Sequence, residues 1–479
     1  MAIPTWAVEA LMRGVGSVVD KVPPEKLDQI KQRAGYWLDE LPGTAARGVD
    51  AVFRGARTGK EIIDRWARRH TSLVTPVMNA SGILADARLQ GVPLGEGAID
   101  LAVEALCSPP LDTPQANERL QRRLTRCAGG GEWAILVATS IDAACLAVGM
   151  SRRNRPLFIH RSQALRLPSG TPMPDAFVPG FGLADARDQV HEVGSVDGFT
   201  PGDLDGIAAD AILVAVDNGD PQPLWFAGGG LPDAIGVVVM TMCGGVTDPR
   251  GDSAMGLSAI SPALRFASDY LLAKDGVDLV IASGDGALGG PSCGLIIGRR
   301  SVIESISTTP IWRSLQAKIA TTAMMTQTLE QLSGGEVIAG GPGLSPVRAM
   351  IDTGEENLRS RAERLAIRLS ADESIRTCQV TADSAKLTPH GPWEIASRQL
   401  KLQHHGKSAQ AWADQLAGSV PAVLTRPDQT DGDGQDFLVV DLRWVQPSDD
   451  VALAAALLGQ VSVPGSDVSN PAAEATAQV

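Results

Sequence analysis

The chain has 479 residues, 44% of them hydrophobic and 20% charged, enough for two or three domains around a large core and too apolar for a disordered chain. A formal net charge of −13 argues against wholesale nucleic-acid binding by the body of the protein. No run approaches the roughly 20 apolar residues of a membrane span, and the opening Met1-Ala2-Ile3-Pro4 lacks the basic and apolar regions of a signal peptide, so a cytoplasmic, membrane-free protein is expected.

Residues 1–70 read as helical: Trp6, Leu11, Val15 and Val18, then Leu27, Ile30, Trp37 and Leu38 recur at helical spacings, punctuated by Pro23-Pro24 and Pro42-Gly43. This region holds 12 Lys/Arg against 9 Asp/Glu, so it is about +3 and the remainder about −16. Arg54, Arg57, Lys60, Arg65, Arg68 and Arg69 gather near its end, either as a solvated helical face or as an RNA contact. From Val77 short apolar runs alternate with helical stretches: 133–137, 156–159, 211–216, 236–240, 278–282 and 294–297. That alternation predicts a mainly parallel sheet with helices on both faces, filling a large α/β domain over 71–330. The Gly-rich stretch 334–343 leads to a smaller α/β domain over 331–463, which begins with an amphipathic helix at 355–369 and ends with the segments 437–442 and 449–458. The tail 464–479 is small and polar and is expected to be disordered.

The six cysteines, at 107, 127, 145, 243, 293 and 378, show no C-x-x-C spacing and read as small buried hydrophobes. His404 and His405 are adjacent and point in different directions on any regular element. No metal site is expected.

The segment Asp278-Leu279-Val280-Ile281-Ala282-Ser283-Gly284-Asp285-Gly286-Ala287-Leu288-Gly289-Gly290-Pro291 reads as a buried strand, a tight polar turn and a Gly-Gly-Pro bend, with a second strand after Cys293. It resembles bacterial selenocysteine synthase, the L-seryl-tRNA(Sec) selenium transferase family, whose turn reads Ser-Gly-Asp-Lys. Met78-Asn79-Ala80-Ser81-Gly82, His191-Glu192-Val193-Gly194, Pro421–Arg426 and Val440-Asp441-Leu442-Arg443 carry the likeness over residues 75 to 460. The resemblance implies a fold-type-I, aspartate-aminotransferase-like pyridoxal-phosphate transferase fold with a large parallel-sheet domain and a smaller C-terminal domain. It also implies at least a homodimer, and an intact family paralogue or tRNA as further partners.

Pyridoxal phosphate needs a lysine to hold it as a Schiff base, a carboxylate at its pyridine nitrogen and a cradle for its phosphate. By the resemblance, Gly286 stands at the lysine position and Thr241 at the carboxylate position. Thr139 and Ser140 stand in the phosphate turn, where Asp142 opposes an anion. Pro172 replaces an arginine, and Asp86 and Arg88 replace a histidine and an asparagine. Between Thr71 and Glu330 the only lysines are Lys274 and Lys318. Lys274 precedes strand 278–282 and so lies far from the carboxyl ends of the strands, where cofactors bind in open α/β sheets. Lys318 borders the site and is the remaining stand-in. The expected site is therefore a degenerate cofactor pocket of Thr139, Ser140, Thr241, Ser283, Asp285, Gly286 and Lys318, without a catalytic residue and without covalently bound cofactor. The reading that follows is a non-catalytic scaffold or regulatory subunit. The alternatives are a pyridoxal-phosphate-dependent seryl-tRNA selenium transferase and an RNA-binding module working through the basic N-terminal region.

Overall fold

The computed structural model divides the chain into two units, Met1–Thr75 and Pro76–Val479. It describes residues 75–459, apart from short stretches and the longer segments 179–189, 218–235, 248–263, 266–276 and 334–344. The helical region expected over 1–70, its six basic residues Arg54, Arg57, Lys60, Arg65, Arg68 and Arg69, the tail from 464, the Gly-rich stretch and Lys274 lie outside the described residues.

Seven strands form the larger sheet: β2 (Trp133–Ala138), β3 (Leu157–His160), β4 (Val190–Val193), β5 (Ile212–Asp217), β6 (Gly236–Thr241), β7 (Val277–Ser283) and β8 (Gly294–Arg299). A shorter strand, β1 (Val77–Asn79), precedes them. Their order is β2-β8-β7-β6-β5-β3-β4. Every pairing from β7 to β4 is parallel, and β8 alone runs antiparallel to both its neighbours. The predicted strands are all present, each within two residues of its expected ends. Antiparallel β8 follows from a short connection: ten residues between Ser283 and Gly294 allow a hairpin-like return, not a crossover helix.

Alternation along each strand divides the side chains between two cores. Ala134, Leu136, Leu279, Ile281 and Ile296 face helix α3 (Ile141–Ser151), with α1 (Glu96–Cys107) and α2 (Pro114–Cys127) preceding it in the chain. Ile135, Val137, Val280, Leu295 and Ile297 face Leu124 of α2 and Met325 and Leu329 of α4 (Ile319–Ser333). The composition of α3 follows from how closely it lies on the sheet. A Cβ on Gly294 of β8 would come within 2.8 Å of Ala144, and one on Gly149 would collide with the Phe177 carbonyl. Small residues at 143, 144, 147 and 149 permit that approach.

The second sheet has four antiparallel strands, β9 (Ile375–Thr381), β10 (Gln399–His404), β12 (Arg426–Gln429) and β13 (Asp436–Asp441), in the order β9-β10-β13-β12. Helices α5 (Glu355–Ser370), α6 (Ala409–Ala417) and α7 (Asp450–Leu457) cover it, and Leu358, Leu365, Leu400, Trp412, Leu438 and Leu453 lie in their shared core. β1 pairs in parallel with β11 (Ala422–Leu424), so Met78 and Ala80 pack into this C-terminal core rather than against the larger sheet. Among the described residues no helix is long and apolar enough to cross a membrane.

Candidate functional site

The polar turn after β7 sits at the carboxyl end of the parallel strands, the edge where open α/β sheets bind ligands. β7 ends at Ser283, a single 3-10 turn spans Gly286–Leu288, and β8 begins at Gly294. The Gly284 amide donates to the Cys293 carbonyl at 2.9 Å, and the Gly290 amide donates to the Gly284 carbonyl at 3.1 Å, pinching the loop shut. A Cβ on Gly284 would lie 2.8 Å from the Pro291 carbonyl, and one on Gly290 2.6 Å from the Gly284 carbonyl. Gly286 is buried and has φ +67°, in the left-handed region that side chains other than glycine's disfavour. The hydroxyl of buried Ser283 donates to the half-buried Asp285 carboxylate. Burial, reinforced by the Asp285 charge, pushes the Cys293 thiol far above its ordinary range and leaves it unreactive.

The other expected pocket residues are engaged locally. Ser140 is the N-cap of α3, and its hydroxyl accepts from the Ala143 amide at 3.1 Å. The Thr139 amide donates to the Leu315 carbonyl at 2.8 Å. Asp142 accepts from the Ser169 hydroxyl at 2.5 Å, and Pro172 opens the short helix Met173–Ala176. Arg88 grips Asp86 through Nε at 2.9 Å and Nη2 at 2.7 Å. Burial raises the Asp86 carboxyl, but the hydrogen bonds from Arg88 outweigh it and hold the group below the usual carboxylate range.

Lys318 sits apart from the turn. Residues 315–317 join the outer edge of β2, through the Ala138–Gln316 bridge and the Ala317 amide donating to the Val137 carbonyl at 2.8 Å. From β7 the sequence across the sheet is β8, β2 and then this segment, three strand spacings or about 14 Å. A lysine side chain extends only about 6 Å. Lys318 is exposed at the start of α4 and lines a cleft of about 460 Å³ with Asn117, Gln121, Arg313 and Gln316.

Two groups near the sheet edge escaped the reading of the sequence. Asp217 ends β5 and is the register partner of Thr241, which in turn pairs with Ala282. An acidic residue at the end of a predicted strand was the available signal. His160 ends β3 wholly buried, with Nδ1 2.7 Å from the Ser162 hydroxyl and Nε2 3.3 Å from Asp203. Gly194, at φ +72°, presses against its ring so closely that a Cβ there would collide with it, which marks the histidine as a packed structural group.

Residues 267–446 match the family profile described as L-seryl-tRNA selenium transferase. The L-seryl-tRNA(Sec) selenium transferase of Moorella thermoacetica is 24% identical over 448 residues, covering 88% of this chain and 89% of the relative. That of Rhizobium meliloti is 26% identical over 356 residues, covering 66% and 69%. That of Aquifex aeolicus is 31% identical over 176 residues, covering 36% and 35%. Among solved structures, D-glucosaminate-6-phosphate ammonia-lyase superposes with a TM-score of 0.52 at 17% identity, covering 81% of this chain and 95% of that one. This likeness is one of fold: the chain is a fold-type-I α/β protein.

Proposed function

We propose that this chain, similar to the L-seryl-tRNA selenium transferases, serves as a cytoplasmic, non-catalytic relative of them, a scaffold or regulatory subunit. The observation that carries this reading is Gly286, buried, amine-free and in a left-handed conformation inside a closed hairpin. The relatives and the fold imply pyridoxal phosphate as their cofactor. The residues here do not fit it in covalent form. Ser283 bonds to Asp285, the Thr139 amide is committed to the Leu315 carbonyl, and Lys318 lines a cleft beside β2. A pocket whose polar groups bond among themselves offers little to an incoming phosphate and pyridine ring.

A second reading, catalysis of the kind named in the relatives, draws support from Lys318 and Arg313 lining one cleft beside β2. Treating the purified full-length protein with pyridoxal phosphate and borohydride, followed by peptide mass mapping, separates the two. The expected result is no stoichiometric phosphopyridoxyl peptide. A stoichiometric label on Lys318 would establish the catalytic reading and end the non-catalytic one.

A further inference from the structure

A second cavity belongs to the C-terminal sheet. It has a volume of about 220 Å³ and sits between one end of β9, β10 and β13 and the first turn of α6. Pockets for drug-sized molecules hold roughly 300–1,000 Å³, so this one suits a smaller ligand.

Its wall carries charge of both signs. Arg376 of β9 and Lys407, in the loop before α6, contribute two cations, and neither forms an ion pair among the described residues. His404 ends β10 and adds a neutral donor. The Gly406 amide donates to its Nδ1 at 2.9 Å, so the ring proton sits on Nε2. Trp412 of α6 meets the ring edge-on, with centroids 5.2 Å apart, and fixes its orientation. Burial, then the charges of Lys407 and His405, push the imidazole below its ordinary range against the opposing pull of Asp372.

The acid on the wall is Asp436, at the start of β13. Its Oδ2 accepts from the Ala409 amide at 2.9 Å, while the Ser408 hydroxyl accepts from the Ala411 amide at 3.3 Å. These amides at the start of α6 are therefore committed, and side chains rather than the helix end are what the cavity offers an anion. Asp436 Oδ1 is enclosed and has no hydrogen-bond partner among the described residues. An enclosed carboxylate oxygen calls for a donor, which a ligand in the cavity can bring.

We propose that this cavity binds a small free α-amino acid, whose carboxylate meets Arg376, Lys407 and His404 Nε2 and whose ammonium meets Asp436. Charge balance selects this class. A simple oxyanion would pair with the two cations but set a negative charge beside Asp436 and leave Oδ1 without a donor. A simple amine would satisfy Asp436 but sit against Arg376 and Lys407. A ligand with an anionic end and a donating cationic end, a few bonds apart, matches both halves of the wall. The apolar part, Leu402, Ala409 and Trp412, accommodates a short side chain. Binding here is independent of whether the chain is catalytic.

Isothermal titration of the full chain with L-alanine, acetate and ethylamine tests this, with melting curves to confirm that each variant folds. Saturable binding of L-alanine is expected below about 10 mM, with acetate and ethylamine, which each carry one of its charged ends, about tenfold weaker. Asp436→Asn keeps an oxygen for the Ala409 amide but loses the charge. It should weaken L-alanine binding about tenfold and bring acetate level with it. Arg376→Ala with Lys407→Ala, both at exposed positions, should weaken L-alanine and acetate alike. No binding of L-alanine up to about 10 mM, acetate binding as tightly as L-alanine to the native chain, or either variant binding L-alanine as the native chain does would each overturn the proposal.

Discussion

The turn after β7 and the cluster around Asp441 both bury polar side chains, and they use them in different ways. At the turn, Ser283 and Asp285 bond to each other and the backbone closes on itself through glycines. Around Asp441, polar groups tie distant segments together. Its carboxylate accepts from the Ser397 hydroxyl at 2.7 Å, the Gln399 amide at 2.7 Å and the Arg443 amide at 2.8 Å. Arg443 in turn donates to the carbonyls of Met350 at 2.9 Å, Thr353 at 2.7 Å and Ala396. Buried Arg361 reaches Val445 at 2.9 Å and Asp450 at 2.7 Å. The difference teaches where this chain keeps its constraints. The junction of the C-terminal sheet with residues 77–82 and 346–353 depends on charged side chains whose loss strands several partners. The turn depends on glycines, and its polar groups serve only each other.

The largest effect that could break this contrast is at Arg443. Arg443→Met leaves the carbonyls of Met350, Thr353 and Ala396 without their guanidinium donor in a buried setting, so unfolding by denaturant should show a loss of about 3–5 kcal/mol. A loss under 1 kcal/mol would make the cluster peripheral and the contrast empty. At the turn, Gly284→Ala meets the Cys293 sulfur and the Pro291 carbonyl and should cost about 1–3 kcal/mol. Gly286→Ala should cost about 1–2 kcal/mol, from its positive φ alone. If Gly286→Ala proved neutral, a side chain at 286 would be tolerated and the turn would be less dedicated to glycine than its backbone indicates. The smallest effect is a slope. Burial raises the Asp441 carboxyl, against the lowering pull of Ser397, Arg443 and Gln399, so the folded chain holds its proton to higher pH than the unfolded chain. The stability this proton contributes is complete below the unfolded value near 3.9 and is lost as pH rises through the folded value. Native protein should therefore lose stability relative to Asp441→Asn as pH is raised from about 4 toward 7. A parallel pair of pH profiles would show that Asp441 does not titrate across folding.

The reading of the candidate site was uneven for physical reasons. The polar turn itself was legible because Ser-Gly-Asp on one side and Leu-Gly-Gly-Pro on the other punctuate it, and the closed hairpin is the structural form of that punctuation. The setting of Lys318 was not legible, because it depends on residues 315–317 attaching to the edge of β2, a pairing between segments nearly 180 positions apart in sequence. Ser140 was read as a donor to an anion at a helix N-terminus; the structure makes it the N-cap of α3, where its oxygen accepts from the Ala143 amide. Asp217 was passed over because a strand-terminal carboxylate gains meaning only beside its neighbour in register, Thr241.

By itself the sequence determined the alternation of strands and helices, the parallel character of the larger sheet and the place of its polar turn. Each of these rests on local periodicity and on glycine and proline at turns, which short-range sterics impose within a few residues. Only the tertiary structure decided that β1 joins the C-terminal core, that α1, α4 and α2 lie side by side with charge graded across them, and that residues 315–317, just before Lys318, attach to the edge of β2. Those facts depend on which distant segments share a face or an edge. Strand pairing and helix packing choose their partners by complementary surfaces that no single stretch of chain displays.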